Sequence, residues 1–112
     1  MKVEKTVKTM LDVKKFIEKE AKYLDNAKIR VTRWCHFDYD LGLQCLDVDV
    51  EIWDGEEYIE AINVYSTDWV NENFDTTDLS LLKKEFVATS NYVQKHFDYR
   101  YNVEIDNDIL LP

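Results

Sequence analysis

Between Leu46 and Trp53 the chain alternates without a break. Leu46, Val48, Val50 and Ile52 are apolar, and Asp47, Asp49, Glu51 and Trp53 fall between them. A period of two predicts a half-buried strand over 45–53, with one side in a core and an acidic side turned away from it. Asp54-Gly55 then reads as a hairpin turn, and EYIEAINVYS continues as a strand over 57–66. The register of that strand depends on the turn. A two- or four-residue loop places Ile59 and Ala61 inside, and a three-residue loop places Tyr58, Ile62 and Val64 inside.

Upstream, KIRVTRWCHF is β-branched and aromatic and predicts a strand over 28–37. Ile29, Val31, Cys35 and Phe37 share one side of it; Arg30, Thr32, Trp34 and His36 share the other. Asp38 to Gly42 has turn composition. The period changes to that of a helix over about 9–24, where Met10, Val13, Ile17, Ala21 and Leu24 form the stripe and lysines fill the spaces. Thr9 with Asp12 three residues on resembles a capped start. A second helix is expected over about 78–97 on Leu79, Leu82, Phe86, Val93 and Phe97, capped by Asp75 or Thr77. Residues 67–76 read as a loop. Tyr99, Tyr101, Val103 and Ile105 predict a last strand, and the tail from Asp106 to Pro112 turns from polar to apolar.

The element order α-β-β-β-α-β implies an α+β two-layer sandwich, an antiparallel sheet with two helices on one face. A length of 112 residues fits a single domain over 1–112, and 46% hydrophobic residues suffice for a core. The apolar runs are too short to span a membrane, and the charged N-terminus does not resemble a secretory signal, so a cytoplasmic protein is expected. In that compartment Cys35 and Cys45 are expected as thiols, although a hairpin centred near Asp40 would set them opposite each other.

Charge adds the most distinctive feature. Trp34 to Leu82 is a run of 49 residues with no Lys or Arg and 13 acids, whereas residues 1–33 hold 10 basic residues and 5 acids. A net charge of −9 argues against general affinity for nucleic acid or anionic lipid, which needs clustered cations.

The acidic strand is the first candidate for chemistry. Asp47 and Asp49 on one side of a strand stand about 6.6 Å apart, a spacing that can hold a divalent metal. "LDVDV" resembles the acidic strand of nucleotidyltransferases, but that family's Gly-Ser turn is replaced by Leu41-Gly42-Leu43-Gln44. Asp38, Asp40 and Gly42 lack the remaining ligands of a calcium loop. Cys35, His36, Cys45 and His96 lack zinc-ligand spacing. No nucleophile–base pair or phosphate-binding glycine loop is recognisable. The expectation is no enzyme, no cofactor and no metal.

In size, charge and absence of catalytic motifs the chain resembles the DNA-mimic and anti-CRISPR inhibitors of phages, and the immunity proteins of nuclease toxins. The resemblance is one of general character and rests on no diagnostic motif. It implies a partner with a basic surface, such as a nuclease or another nucleic-acid enzyme. The expected contact residues are Asp47, Asp49, Glu51, Asp54, Glu56, Glu57 and Glu60, with Trp53 as the apolar anchor. The alternatives are a structural protein that pairs its lysine-rich helix with the acidic sheet of a second copy as a homodimer, and a metal-dependent enzyme using Asp47 and Asp49.

Overall fold

The strands predicted by alternation form the centre of a five-stranded sheet in this computed structural model, which describes residues 2–4, 8–38, 43–69 and 76–106. The elements are β1 (Lys2–Glu4), α1 (Met10–Ala21), β2 (Ala27–Asp38), β3 (Leu43–Asp54), β4 (Glu57–Trp69), α2 (Thr76–Phe97) and β5 (Asn102–Ile105). The sheet order is β1-β4-β3-β2-β5. This is the expected α+β arrangement with one short strand added before α1. The Asp38–Gly42 turn, apart from Asp38 itself, and the tail after Asp106 lie outside the described residues.

Two expectations about the sheet are corrected. It is mixed rather than antiparallel, because β5 runs parallel to β2. The reason is the connection: β4 and β2 run the same way, and α2 carries the chain back to the end where β4 began. A helix of 22 residues is about 33 Å long, enough to return along most of a strand and start the next one in the same direction. The second correction concerns residues 67–76, read as a loop. Thr67, Asp68 and Trp69 extend β4 and pair with β1.

Helix α1 forms where the capping signal placed it. The Thr9 hydroxyl accepts from the backbone N–H of Asp12 at 3.2 Å, and the Asp12 carboxylate accepts from the backbone N–H of Thr9 at 3.0 Å. These two bonds satisfy end donors that the helix itself cannot. Its buried residues are Val13, Ile17 and Ala21. They join Ile29, Val31, Val48, Val50, Ile52 and Val64 from the sheet and Leu82, Phe86, Val93 and Phe97 from α2 in one hydrophobic cluster. Thr77, a candidate cap, lies inside α2, and Asp75 falls outside the described residues. No helix among the described residues is long and apolar enough to cross a membrane.

The register of β4 is set by two bulges. Asp54 pairs with Glu57 and Trp53 with Tyr58, so the loop is Gly55-Glu56. Gly55 has φ of 60° at the first central position, as a type II′ turn requires. A plain two-residue hairpin would put Ala61 inside. A register shift between Ile52 and Trp53 instead makes Ile59 the extra residue, after which Ile62 pairs with Val50. A second shift between Val48 and Asp49 leaves Val64 as the extra residue, fully buried. Each simple loop length predicted part of this strand, and the bulge joins them.

The β2–β3 register also settles the cysteines' positions. Cys35 pairs with Leu46 and Cys45 with His36. The two cysteines are therefore one step out of alignment, at positions of opposite parity, and not opposite each other as expected.

Candidate protein-binding surface

The acidic row of β3 is opposed by a basic and polar row. The side of β3 away from the core carries Asp47, Asp49, Glu51 and Trp53, and the antiparallel register sets Arg30 against Glu51 and Lys28 against Trp53 on β2. On the other flank Ser66 faces Asp47, Asn63 faces Asp49 and Tyr58 faces Trp53. Cross-strand neighbours of this kind are close enough to bond.

Each carboxylate of the row uses such a neighbour. Asp47 is only 8% exposed and accepts from the Ser66 hydroxyl at 2.6 Å. Asp49 accepts from the Asn63 amide at 2.7 Å. Glu51 accepts from the Trp53 indole N–H at 3.1 Å and pairs with Arg30 at 3.5 Å. Arg30 also contacts Asp106 at 2.6 Å and Glu104 at 3.3 Å, and Lys28 reaches Glu104 at 3.6 Å. Asp47, Asp49 and Glu51 are thus engaged within the protein.

Asp54, another predicted contact residue, has a different task. Its Oδ1 accepts from the backbone N–H of Asn26 at 3.0 Å, and the Asn26 carbonyl in turn accepts from the N–H of Gly55 at 2.9 Å. This reciprocal pair fastens the β3–β4 turn to the segment between α1 and β2.

Of the eight predicted contact residues the exposed acids are Glu56, Glu57 and Glu60, at the end of the β3–β4 hairpin. Glu60 pairs with Ile52 and so does not belong to the row of Asp49 and Glu51. Between Glu57 and Glu60 stands Tyr58, 50% exposed, with its ring edge-to-face on Trp53 at 5.6 Å. Lys28 Nζ lies 5.4 Å from the Trp53 ring centroid. The Tyr58 phenol is raised above its ordinary pKa, first by partial desolvation and then by the charges of Glu60, Glu51 and Asp49. All of these effects favour the neutral phenol, and the charge contribution marks a negative local potential.

The eight predicted contact residues therefore separate into an internally bonded row, a structural clamp and an exposed hairpin end. Trp34 side-chain placement falls outside the described residues, as do those of Cys35, His36 and Cys45. Sequence reasoning missed Arg30 and Glu104 as members of the network on the acidic strand. Part of the signal for Arg30 was present, since alternation puts it on the side of β2 away from the core. A hairpin centred on Asp40 would align it with Val50, and only the observed register, one step on, sets it against Glu51.

An open cleft of about 570 Å³ adjoins the hairpin, lined by the segment Leu24–Lys28, Gly55, Arg100, Tyr101 and Asn102. Its charged groups are Asp25, Lys28 and Arg100, with no His or Cys to act as nucleophile or proton carrier. Among the described residues no group of three or more His, Cys, Asp or Glu side chains is arranged to hold a metal. In comparisons with known proteins, the chain matches no protein-family model, no curated protein and no solved structure.

Proposed function

We propose that this is a small acidic, non-enzymatic protein-binding domain that blocks the basic surface of a nucleic-acid enzyme. The observation that carries the reading is the composition of the hairpin end: Glu56, Glu57 and Glu60 exposed around a half-exposed Tyr58. Tyrosine and tryptophan are enriched at protein-binding hot spots, and acids around them can steer a basic partner. The turn beneath them is held by the Asn26–Asp54–Gly55 bonds, so little order has to be acquired on binding.

A basic enzyme channel normally receives about one phosphate charge per 1.7 Å of duplex axis. Carboxylates that are exposed and uncompensated compete for the same cations, and long-range attraction speeds the encounter. Both settings raised by the sequence, a phage inhibitor and a toxin immunity protein, are compatible with this chemistry. The contact set is narrower than the one first expected: Glu56, Glu57, Tyr58 and Glu60 at the front, with Trp53 behind Tyr58.

The test is affinity capture from the native host's lysate at low and high salt, with duplex DNA as competitor. A variant carrying Glu56→Gln, Glu57→Gln and Glu60→Gln serves as control. A basic nucleic-acid enzyme that is displaced by DNA, weakened by salt and lost with the variant supports the reading. An enzyme retained equally by the variant, or recovery of the bait alone, overturns it; the latter points to self-assembly.

A further inference from the structure

Negative charge alone does not account for the pair of rings at the hairpin end. Trp53 and Tyr58 meet with their planes at 80° and their centroids 5.6 Å apart. The Trp53 indole is fixed by its bond to Glu51, and one cation of the protein, Lys28, already stands over its ring. Among the described residues no Lys or Arg is placed over Tyr58 in the same way. Tyr58 is half exposed, and Glu60, Glu51 and Asp49 are close enough to act on its phenol.

A half-exposed ring in a negative field can attract a cation twice over, through the ring quadrupole and through the carboxylates. Small inorganic cations are strongly hydrated and gain little from the ring. An ammonium such as that of Lys28 meets the ring as a point charge. A guanidinium is planar, weakly hydrated and able to stack on a ring while donating to a carboxylate from its edge. Glu60 is exposed, with its Oε1 accepting from the Ala61 backbone N–H at 3.1 Å, whereas Glu51 is occupied by Trp53 and Arg30.

We propose that Tyr58 is the recognition point for an arginine side chain of the partner protein, with the guanidinium stacked on the phenol ring in the negative field of the hairpin carboxylates. This rests on the acidic-surface reading and names the group that the partner must supply.

The experiment is an NMR titration of the full chain at low salt with three blocked tripeptides, acetyl-Gly-X-Gly-amide, where X is arginine, lysine or citrulline. Citrulline keeps the shape of arginine without its charge. The arginine peptide is expected to shift the Tyr58 ring and Glu60 amide signals, the lysine peptide to bind more weakly, and the citrulline peptide to leave them unmoved. Tyr58→Ala should lower the affinity for the arginine peptide about two- to fivefold, the range of an exposed cation–π contact, and Tyr58→Phe should retain it. Equal binding of the arginine and lysine peptides overturns the guanidinium assignment. Unchanged affinity in Tyr58→Ala, with Glu56 and Glu57 still responding, overturns the role of Tyr58 and leaves the acidic surface standing. No response anywhere on the hairpin overturns both.

Discussion

Arg30 is the cation on which the outer side of the sheet depends, and its removal gives the sharpest test of the structure. It faces Asp106 at 2.6 Å, Glu104 at 3.3 Å and Glu51 at 3.5 Å. The Arg30 side chain is 31% exposed and those of Asp106 and Glu51 are 23% and 22%, whereas Glu104 is 49% exposed. The short contact with Asp106 is charge-assisted and half-buried, worth about 1.5–2 kcal/mol. The two longer pairs are screened by solvent and add only about 0.3 kcal/mol each. Arg30→Ala also leaves three carboxylates near one another with Lys28 as the remaining cation beside Glu104. The expected loss is about 2–3 kcal/mol, or about 8–12 °C in Tm at about 4 °C per kcal/mol. Urea unfolding followed by tryptophan fluorescence measures it, with an unchanged m-value showing that the same surface is exposed. A double-mutant cycle with Asp106→Asn should give a coupling of about 1–2 kcal/mol. A loss below about 0.5 kcal/mol, within the usual range of surface substitutions, or strict additivity in the cycle, would refute the network.

Three further outcomes follow from the geometry. Asp12 has its pKa lowered by its hydrogen bonds from the Thr9 backbone and hydroxyl, so the stability it contributes is present above the unfolded value of 3.8 and is lost as pH falls through the lower folded value; Asp12→Asn should therefore destabilise at neutral pH and converge with the parent in acid, as thermal melts across pH will register. Gly55→Ala meets no atom within 4 Å but forces φ of 60° on an L side chain, so a cost of about 1 kcal/mol from backbone strain alone is expected in urea titrations; a neutral result would argue against the II′ turn. The Tyr58 phenol should titrate above its ordinary range in ultraviolet difference spectra, and Glu60→Gln should bring it partly back, because desolvation, the larger cause, remains; no movement would separate Glu60 from the ring.

The fold was legible wherever one period ran uninterrupted. The strict alternation of Leu46 to Trp53 and the Thr9–Asp12 cap mark β3 and the start of α1 to within two residues. The β4 strand was ambiguous because its side chains follow two periods joined by a bulge at Ile59, and neither loop length fits both halves. The direction of β5 was not legible at all. A four-residue strand carries no mark of its neighbour's direction, and only the return path of α2 decides it.

Counting carboxylates located the acidic sheet but misjudged which acids are available. Alternation says that Asp47, Asp49 and Glu51 point away from the core, and they do; it does not say what stands beside them. Availability is a property of the pairing: β2 brings Arg30 to Glu51, and β4 brings Ser66 to Asp47 and Asn63 to Asp49. Neutralising Asp47 and Asp49 would therefore weaken the acceptors of Ser66 and Asn63, and would disturb packing as much as any contact outside the protein. Glu56, Glu57 and Glu60 lie where the hairpin ends and are exposed. A surface meant for a basic partner has to keep some charge exposed, and among the eight expected contact residues it is Glu56, Glu57 and Glu60 at the hairpin end that do so.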